Sequence, residues 1–210
     1  MNIDSILAEY DSMFGKYSLN EIEEFLLKNI EEAGAKSELQ VLVSLLNETI
    51  GFYRDTLQKE KALKNCSFLN SVLSKLNLQG TIPYATSLLN IANAFRAFHL
   101  AKEAIALFEQ VEQIYQKHLP ENDFLFAGLY NNWALAYQEL AEFELAAELL
   151  QKALLIVDRY PEAVIPQATT RTNLGISLLE TNTEEASAKA HQLLRQALDI
   201  FEKDGEKDFH

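Results

Sequence analysis

Three asparagines recur at nearly constant spacing: Asn90, Asn132 and Asn173, at lags of 42 and 41 residues. Two arginines, Arg54 and Arg96, stand 42 apart in the same frame. Asn93, Asn131 and Gln138 lie on neighbouring positions of the same helical faces. A carboxamide presents a donor pair and an acceptor together, so it can hold the peptide bond of an extended ligand whatever that ligand's side chain. A guanidinium forks onto carboxylates. The chemistry on offer is recognition by hydrogen bonds and charge, not bond-making. Each group also has a plainer use. The asparagines can cap or brace adjacent helices, and the arginines can pair with Asp55 or Glu139 on nearby turns. Repeated Arg on a chain of formal charge −13 is unexpected, and it keeps an acidic or carboxylate-bearing ligand open.

Reactive chemistry finds little support. His99, His118, His191 and His210 are scattered, with no partner at metal-ligand spacing. The lone cysteine, Cys66, excludes an internal disulfide and a CxxC site, and reads as a buried structural thiol. Glu21, Glu23, Glu24, Glu31 and Glu32 read as a solvated helix face, because the spacing and the glycine of a calcium loop are missing. Phosphate-loop, dinucleotide, zinc-protease and nucleophile-elbow motifs are absent. No catalytic residue, metal or cofactor is therefore expected. With 31 acidic against 18 basic residues, nucleic acid and anionic membranes are poor partners. The N-terminus has neither the basic region nor the apolar run of a signal peptide, and no stretch approaches the ~18 apolar residues of a membrane helix. A soluble cytoplasmic protein is expected.

The elements that would position these groups are helical. Of 210 residues, 48% are apolar and 23% charged, a globular composition able to bury a core. Seven glycines and four prolines (Pro83, Pro120, Pro161, Pro166) are too few for an all-β or collagenous chain. Between the prolines the apolar spacing is that of helices. In Phe143 to Val157, residues Ala146, Leu149, Leu150, Ala153, Leu154 and Val157 share one helical face.

The helices repeat. Segments starting at Tyr84, Phe126 and Gln167 align, with small residues at Ala92, Ala134 and Gly175 and large ones at Phe95, Tyr137 and Leu178. Second helices follow, opened by Ala62, Ala104, Ala146 and Ala190. Cys66, Phe108, Leu150 and Leu194 come four residues later, then Leu69, Val111, Ala153 and Ala197. The last lag is 44, against 41 between Asn132 and Asn173 in the first helices, and is assigned to three extra residues in the turn near Asn182 to Lys189. Small residues mark where the two helices of a pair cross closely. Four full pairs from about Glu38 to Lys203 follow, and a degenerate fifth over about Ile3 to Ala33, with Gly15 and Gly34 as expected helix stops.

Ala134-x2-Tyr137 followed by Ala146-x3-Leu150-x2-Ala153 resembles the tetratricopeptide repeat. The period of about 42 exceeds the usual ~34 by about two helical turns, and the LYNN segment before the small–aromatic unit is similar to the kinesin-light-chain-like subclass found in bacterial repeat proteins. The resemblance implies an all-α, right-handed superhelical solenoid of about five antiparallel helix pairs. It sets a degenerate pair at 1–36 before an array at 37–210, with repeats at about 37–80, 81–120, 121–161 and 162–204 in one continuous domain. It also implies a non-catalytic interaction scaffold whose first helices line a concave groove for an extended peptide or helix of a protein partner. Asn90, Asn93, Arg54, Arg96, Asn131, Asn132, Gln138 and Asn173 are the expected contacts, and Asn132, being central, the most ligand-exposed asparagine. A regulatory receptor for a short signalling peptide is the alternative. The last pair carries Leu193, Leu194, Ala197, Leu198, Ile200 and Phe201, and Glu206 to His210 echoes the segment Glu121 to Phe124 that leads into a first helix. Either the chain is part of a longer array, or a second copy covers this end in a homodimer.

Overall fold

The computed structural model describes residues 1–205. The echo at Glu206 to His210 lies outside the described residues. Ten helices and no strand are found among those described. They fall into two compact units, one spanning Met1–Phe98 and one starting at His99. The division lies between the two helices of the 81–120 repeat.

The first unit holds α1 (Ile3–Met13), α2 (Leu19–Ala35), α3 (Leu39–Asp55), α4 (Lys59–Lys75) and α5 (Ile82–Ala97). Local chemistry sets several starts. Asn2 accepts from the Ser5 N–H, Ser18 and Glu21 form a reciprocal capping box, and Thr81 accepts from the Tyr84 N–H ahead of Pro83 in the first turn. The degenerate first pair has a real core: Tyr10 and Met13 pack with Ile22, Leu26, Phe52 and Tyr53. Gly15 follows α1 with φ 76°, as a helix stop should. Gly34 instead lies inside α2, and Ser37 takes the left-handed position beyond it at φ 55°.

The second unit holds α6 (Ala101–His118), α7 (Phe124–Glu139), α8 (Phe143–Val157), α9 (Val164–Glu180) and α10 (Glu184–Gly205). Phe108 stacks on Trp133 at 6.4 Å between ring centroids, and Tyr115 meets Phe126 edge-on at 5.5 Å. The extra residues of the last repeat are helix rather than turn, since α10 already starts at Glu184. They lengthen its first turns, and the α9–α10 turn stays as short as the α7–α8 turn.

The small-residue frame is confirmed in both units. Ala62, Ala104, Ala146 and Ala190 are fully buried, as are Ala92 and Ala134. A Cβ on Gly175 would sit 2.8 Å from Leu194 Cγ and 3.4 Å from the Ala190 carbonyl oxygen, so α9 and α10 touch there with no room to spare. The turn inside each pair also repeats in the backbone. Leu57, His99, Ala141 and Asn182 all have φ between 54° and 60°, at spacings of 42, 42 and 41. Around Leu57 and Ala141 the bonds are those of a Schellman end: Gln58 N–H to the Tyr53 carbonyl at 2.8 Å and Glu142 N–H to the Tyr137 carbonyl at 2.9 Å.

Candidate peptide-binding face

First helices of successive pairs lie side by side, α3 with α5 in one unit and α7 with α9 in the other. On α3, the Asn47 carboxamide donates to the Val43 carbonyl at 3.0 Å and to Ser87 Oγ on α5 at 3.1 Å. Asn90 on α5 returns both amide hydrogens to Asn47, to its carbonyl at 2.8 Å and its Oδ1 at 3.1 Å. The second unit repeats the first of these rungs. Asn131 donates to the Ala127 carbonyl at 3.0 Å and to Thr170 Oγ1 at 2.9 Å. About two helical turns further along α7, Gln138 donates to the Asn173 carbonyl at 3.1 Å and Ser177 Oγ at 2.7 Å.

Asn90, Asn131 and Gln138 therefore bridge adjacent first helices through their amide donors. The Asn131 carboxamide oxygen is buried with no donor among the described residues, and so is that of Asn93. Asn132 is half-buried and, among the described residues, donates only within its own helix, to the Gly128 carbonyl at 2.9 Å. The Asn173 side chain is half-buried, and its backbone carbonyl receives Gln138 and Ser177. Arg54 Nε donates to Asp55 Oδ1 at 2.8 Å, an exposed neighbour pair worth little net stability. Arg96 is half-buried on α5, three residues beyond Asn93.

Asn47, Ser87, Thr170 and Ser177 complete these rungs and were not among the expected contacts. Their signal is in the sequence. Asn47 precedes Asn131 by 84 residues, two full periods, and Ser87 and Thr170 hold matching hydroxyls 83 apart. Beside the second-unit rung lies a small cleft of about 270 Å³, with Phe124, Gly128, Asn131, Ile165, Pro166 and Thr170 among its walls.

Away from this face, the seams between second helices are tied by phenols. Tyr53 on α3 donates to Glu23 Oε1 at 2.9 Å, and Lys61 Nζ joins the same oxygen at 2.5 Å while lying over the Tyr53 ring. Burial opposes the Glu23 charge, yet the hydrogen bonds from Lys61 and Tyr53 outweigh it and hold the carboxyl below its ordinary value. Cys66 is buried and unpaired, and burial pushes its thiol up to about 12, so it is no nucleophile at neutral pH. No group of three metal-ligating side chains occurs among the described residues, and none of their helices is long and apolar enough to cross a membrane.

Stacked antiparallel helix pairs on a fixed period of about 42 residues, closed by small residues, define a helical repeat protein. The chain belongs to the tetratricopeptide-repeat family: two models of that repeat match it, over residues 85–124 and 125–203, together more than half its length. Among solved structures, BtubC (BKLC) from P. vanneervenii superposes with a TM-score of 0.83 at 17% identity, over 97% of this chain and 81% of that one. The nearly identical TPR-like repeats of a kinesin-light-chain-like protein from Podosopora anserina give 0.75 at 20% identity, over 96% of both chains. A MamA double mutant (RS-1) gives 0.62 at 15% identity, over 94% of each chain. At such identities the likeness is one of fold. No curated protein matches the sequence. The repeat is one of protein–protein interaction, and the chain is an interaction scaffold in that general sense.

Proposed function

We propose that this protein is a non-catalytic cytoplasmic scaffold that holds an extended peptide or helix of a partner against the first helices of its pairs. In this reading the pair at 1–36 and the four repeats at 37–80, 81–120, 121–161 and 162–204 each contribute a first helix. The observation that carries it is the cleft between α7 and α9. Apolar walls take a side chain of the ligand, and the Asn131 carboxamide, fixed by its amide bonds, lies in the lining. Asn132 and Asn173 extend the polar contacts along α7 and α9, and Asn90 and Asn93 offer the same chemistry on α5 of the first unit. Arg54 and Arg96 add cations that suit carboxylates on the ligand.

The test uses random peptides displayed on phage and selected on the intact chain. The best binder is then titrated against Asn132→Ala. Among the described residues Asn132 bonds only within its own helix, so its loss is expected to weaken binding about tenfold while moving the thermal midpoint little. A large fall in the midpoint with unchanged affinity would show that Asn132 is a brace and remove it from the site.

A further inference from the structure

A second and larger cleft lies on the other side of α7, between α6 and α8. It measures about 900 Å³. Phe126 and Tyr130 of α7 form its floor, and the Tyr130 hydroxyl donates to Glu112 Oε1 at 2.9 Å. Burial first, and then the Glu112 carboxylate, push the Tyr130 phenol up, so it stays a donor across the working pH range.

The two walls carry opposite charge. The α6 side presents Glu112 and, on the loop that follows, Glu121, while the α8 side presents Lys152 and Arg159. Neither Lys152 nor Arg159 makes an ion pair among the described residues, although Lys36, Arg54, Lys61 and Arg171 all do. Lys152 lies over the Tyr130 ring at 5.4 Å. Between the two cations stands Leu155, 70% exposed.

These residues break the repeat. Where α8 has Leu155, the other second helices have Ser71, Gln113 and Asp199. Where it has Lys152, they have Phe68, Gln110 and Gln196. The Tyr130 position is Leu46, Leu88 and Arg171 elsewhere. Arg159 alone follows the frame, which places Lys75, Lys117 and Lys203 there. An exposed leucine where three repeats are polar or small gains nothing for packing within the chain. Its placement between unpaired cations, opposite a carboxylate wall, is what an occupant with apolar centre and charged edges requires.

We propose that the α6–α8 cleft is a second docking site, independent of the first-helix face, for an amphipathic partner helix. Its apolar stripe rests on Leu155, carboxylates along one edge meet Lys152 and Arg159, and basic side chains along the other meet Glu112 and Glu121. Lys152 stands in the last turns of α8 and Arg159 in the turn just beyond its end at Val157, seven residues on in sequence. A partner helix laid beside the end of α8 brings carboxylates on successive turns past both.

The probes are stapled helical peptides about four turns long that share one leucine stripe. They bear glutamates on one edge and lysines on the other, glutamates on both, or lysines on both. Anisotropy titrations against the intact chain are expected to rank the mixed-edge peptide about tenfold or more ahead of either single-sign peptide. In the double variant Lys152→Glu, Arg159→Glu both walls are acidic, so the mixed peptide falls about tenfold and the lysine peptide overtakes it. Leu155→Ser weakens every peptide that binds. All three side chains are exposed, so melting curves should stay close to wild type. An unchanged ranking in the double variant, a glutamate-only peptide ranking first on the wild type, or no binding by any of the three overturns the proposal. Loss of mixed-peptide binding in Asn132→Ala also overturns it, by placing the peptide on the first-helix face. None of these results bears on the phage-selected ligand of that face.

Discussion

Asn131 shows how a side chain that packs two helices together is also the one proposed to meet a ligand. Its amide ties α7 to α9 through Thr170 and its own helix through Ala127, which fixes the rotamer. Fixing the donors leaves the oxygen as the part with unmet bonding capacity. A side chain held this way loses little entropy when a ligand arrives. Gly175 shows the opposite case, a residue with packing as its whole role. Alanine at an open helix-interior glycine gains up to about 1 kcal/mol, because backbone freedom in the unfolded chain is reduced. Gly51 in α3 is such a place, with nothing within 4 Å of a Cβ. At Gly175 the new methyl would press on Leu194 Cγ at 2.8 Å and Cδ2 at 2.9 Å, and displacing a packed leucine costs about 1–3 kcal/mol. Gly51→Ala is therefore expected to raise the urea midpoint and Gly175→Ala to lower it. Equal shifts for both would mean that α9 and α10 separate easily and that the small-residue frame is not a packing requirement at this crossing.

Within each helix pair the turn repeats more faithfully than its sequence does. Leu57, His99, Ala141 and Asn182 are four different residue types in one left-handed conformation, and none is glycine. The conformation is imposed by the pair, whose second helix must start after only three intervening residues in order to cross at the small residues. This is why side-chain spacing foretold the crossings, while the helix ends were legible only in part. Gly15 was a usable stop signal, but Gly34 was not, since the left-handed residue after α2 is Ser37. The same limit hid the extra turn of α10, because three residues inserted beside a turn look alike in sequence whether they coil or continue the helix. Leu57 offers a direct measure of the imposed strain. A left-handed non-glycine residue costs about 1–2 kcal/mol, and Leu57 is 78% exposed, so its side chain contributes little packing in return. Leu57→Gly keeps the Tyr53 and Arg54 carbonyl bonds. Set against glycine's greater unfolded freedom, it should raise stability by roughly 0.5–1 kcal/mol, read as a higher denaturant midpoint with unchanged slope. A lower midpoint would mean that the leucine packs in solution and that the turn is not strained.

For the molecule as a whole, what was readable followed from regularity, and what was missed lay where regularity fails. The frame located the fully buried positions because every pair needs them. Tyr130, Lys152 and Leu155 each looked like ordinary variation, and only the fold brings them into one cleft with Glu112. The second-helix position Leu73, Tyr115, Val157 and Phe201 makes the contrast measurable. Its first three members are buried, whereas Phe201 on α10 is 42% exposed, with Leu198 exposed beside it. A face that the repeat otherwise covers is here presented to solvent, and an aromatic ring in that setting favours a contact. We therefore expect a second copy to cover it, giving a dimer whose dissociation depends on concentration. Sedimentation velocity over a dilution series should show the monomer fraction rising on dilution. Phe201→Glu should be monomeric throughout, with the helical circular dichroism of the wild type, because the substituted side chain lies on the outer face of α10. A wild-type chain that stays monomeric at the highest concentration would show that this face is not a self-association surface. A Phe201→Glu variant that still dimerises would move the interface elsewhere on the molecule.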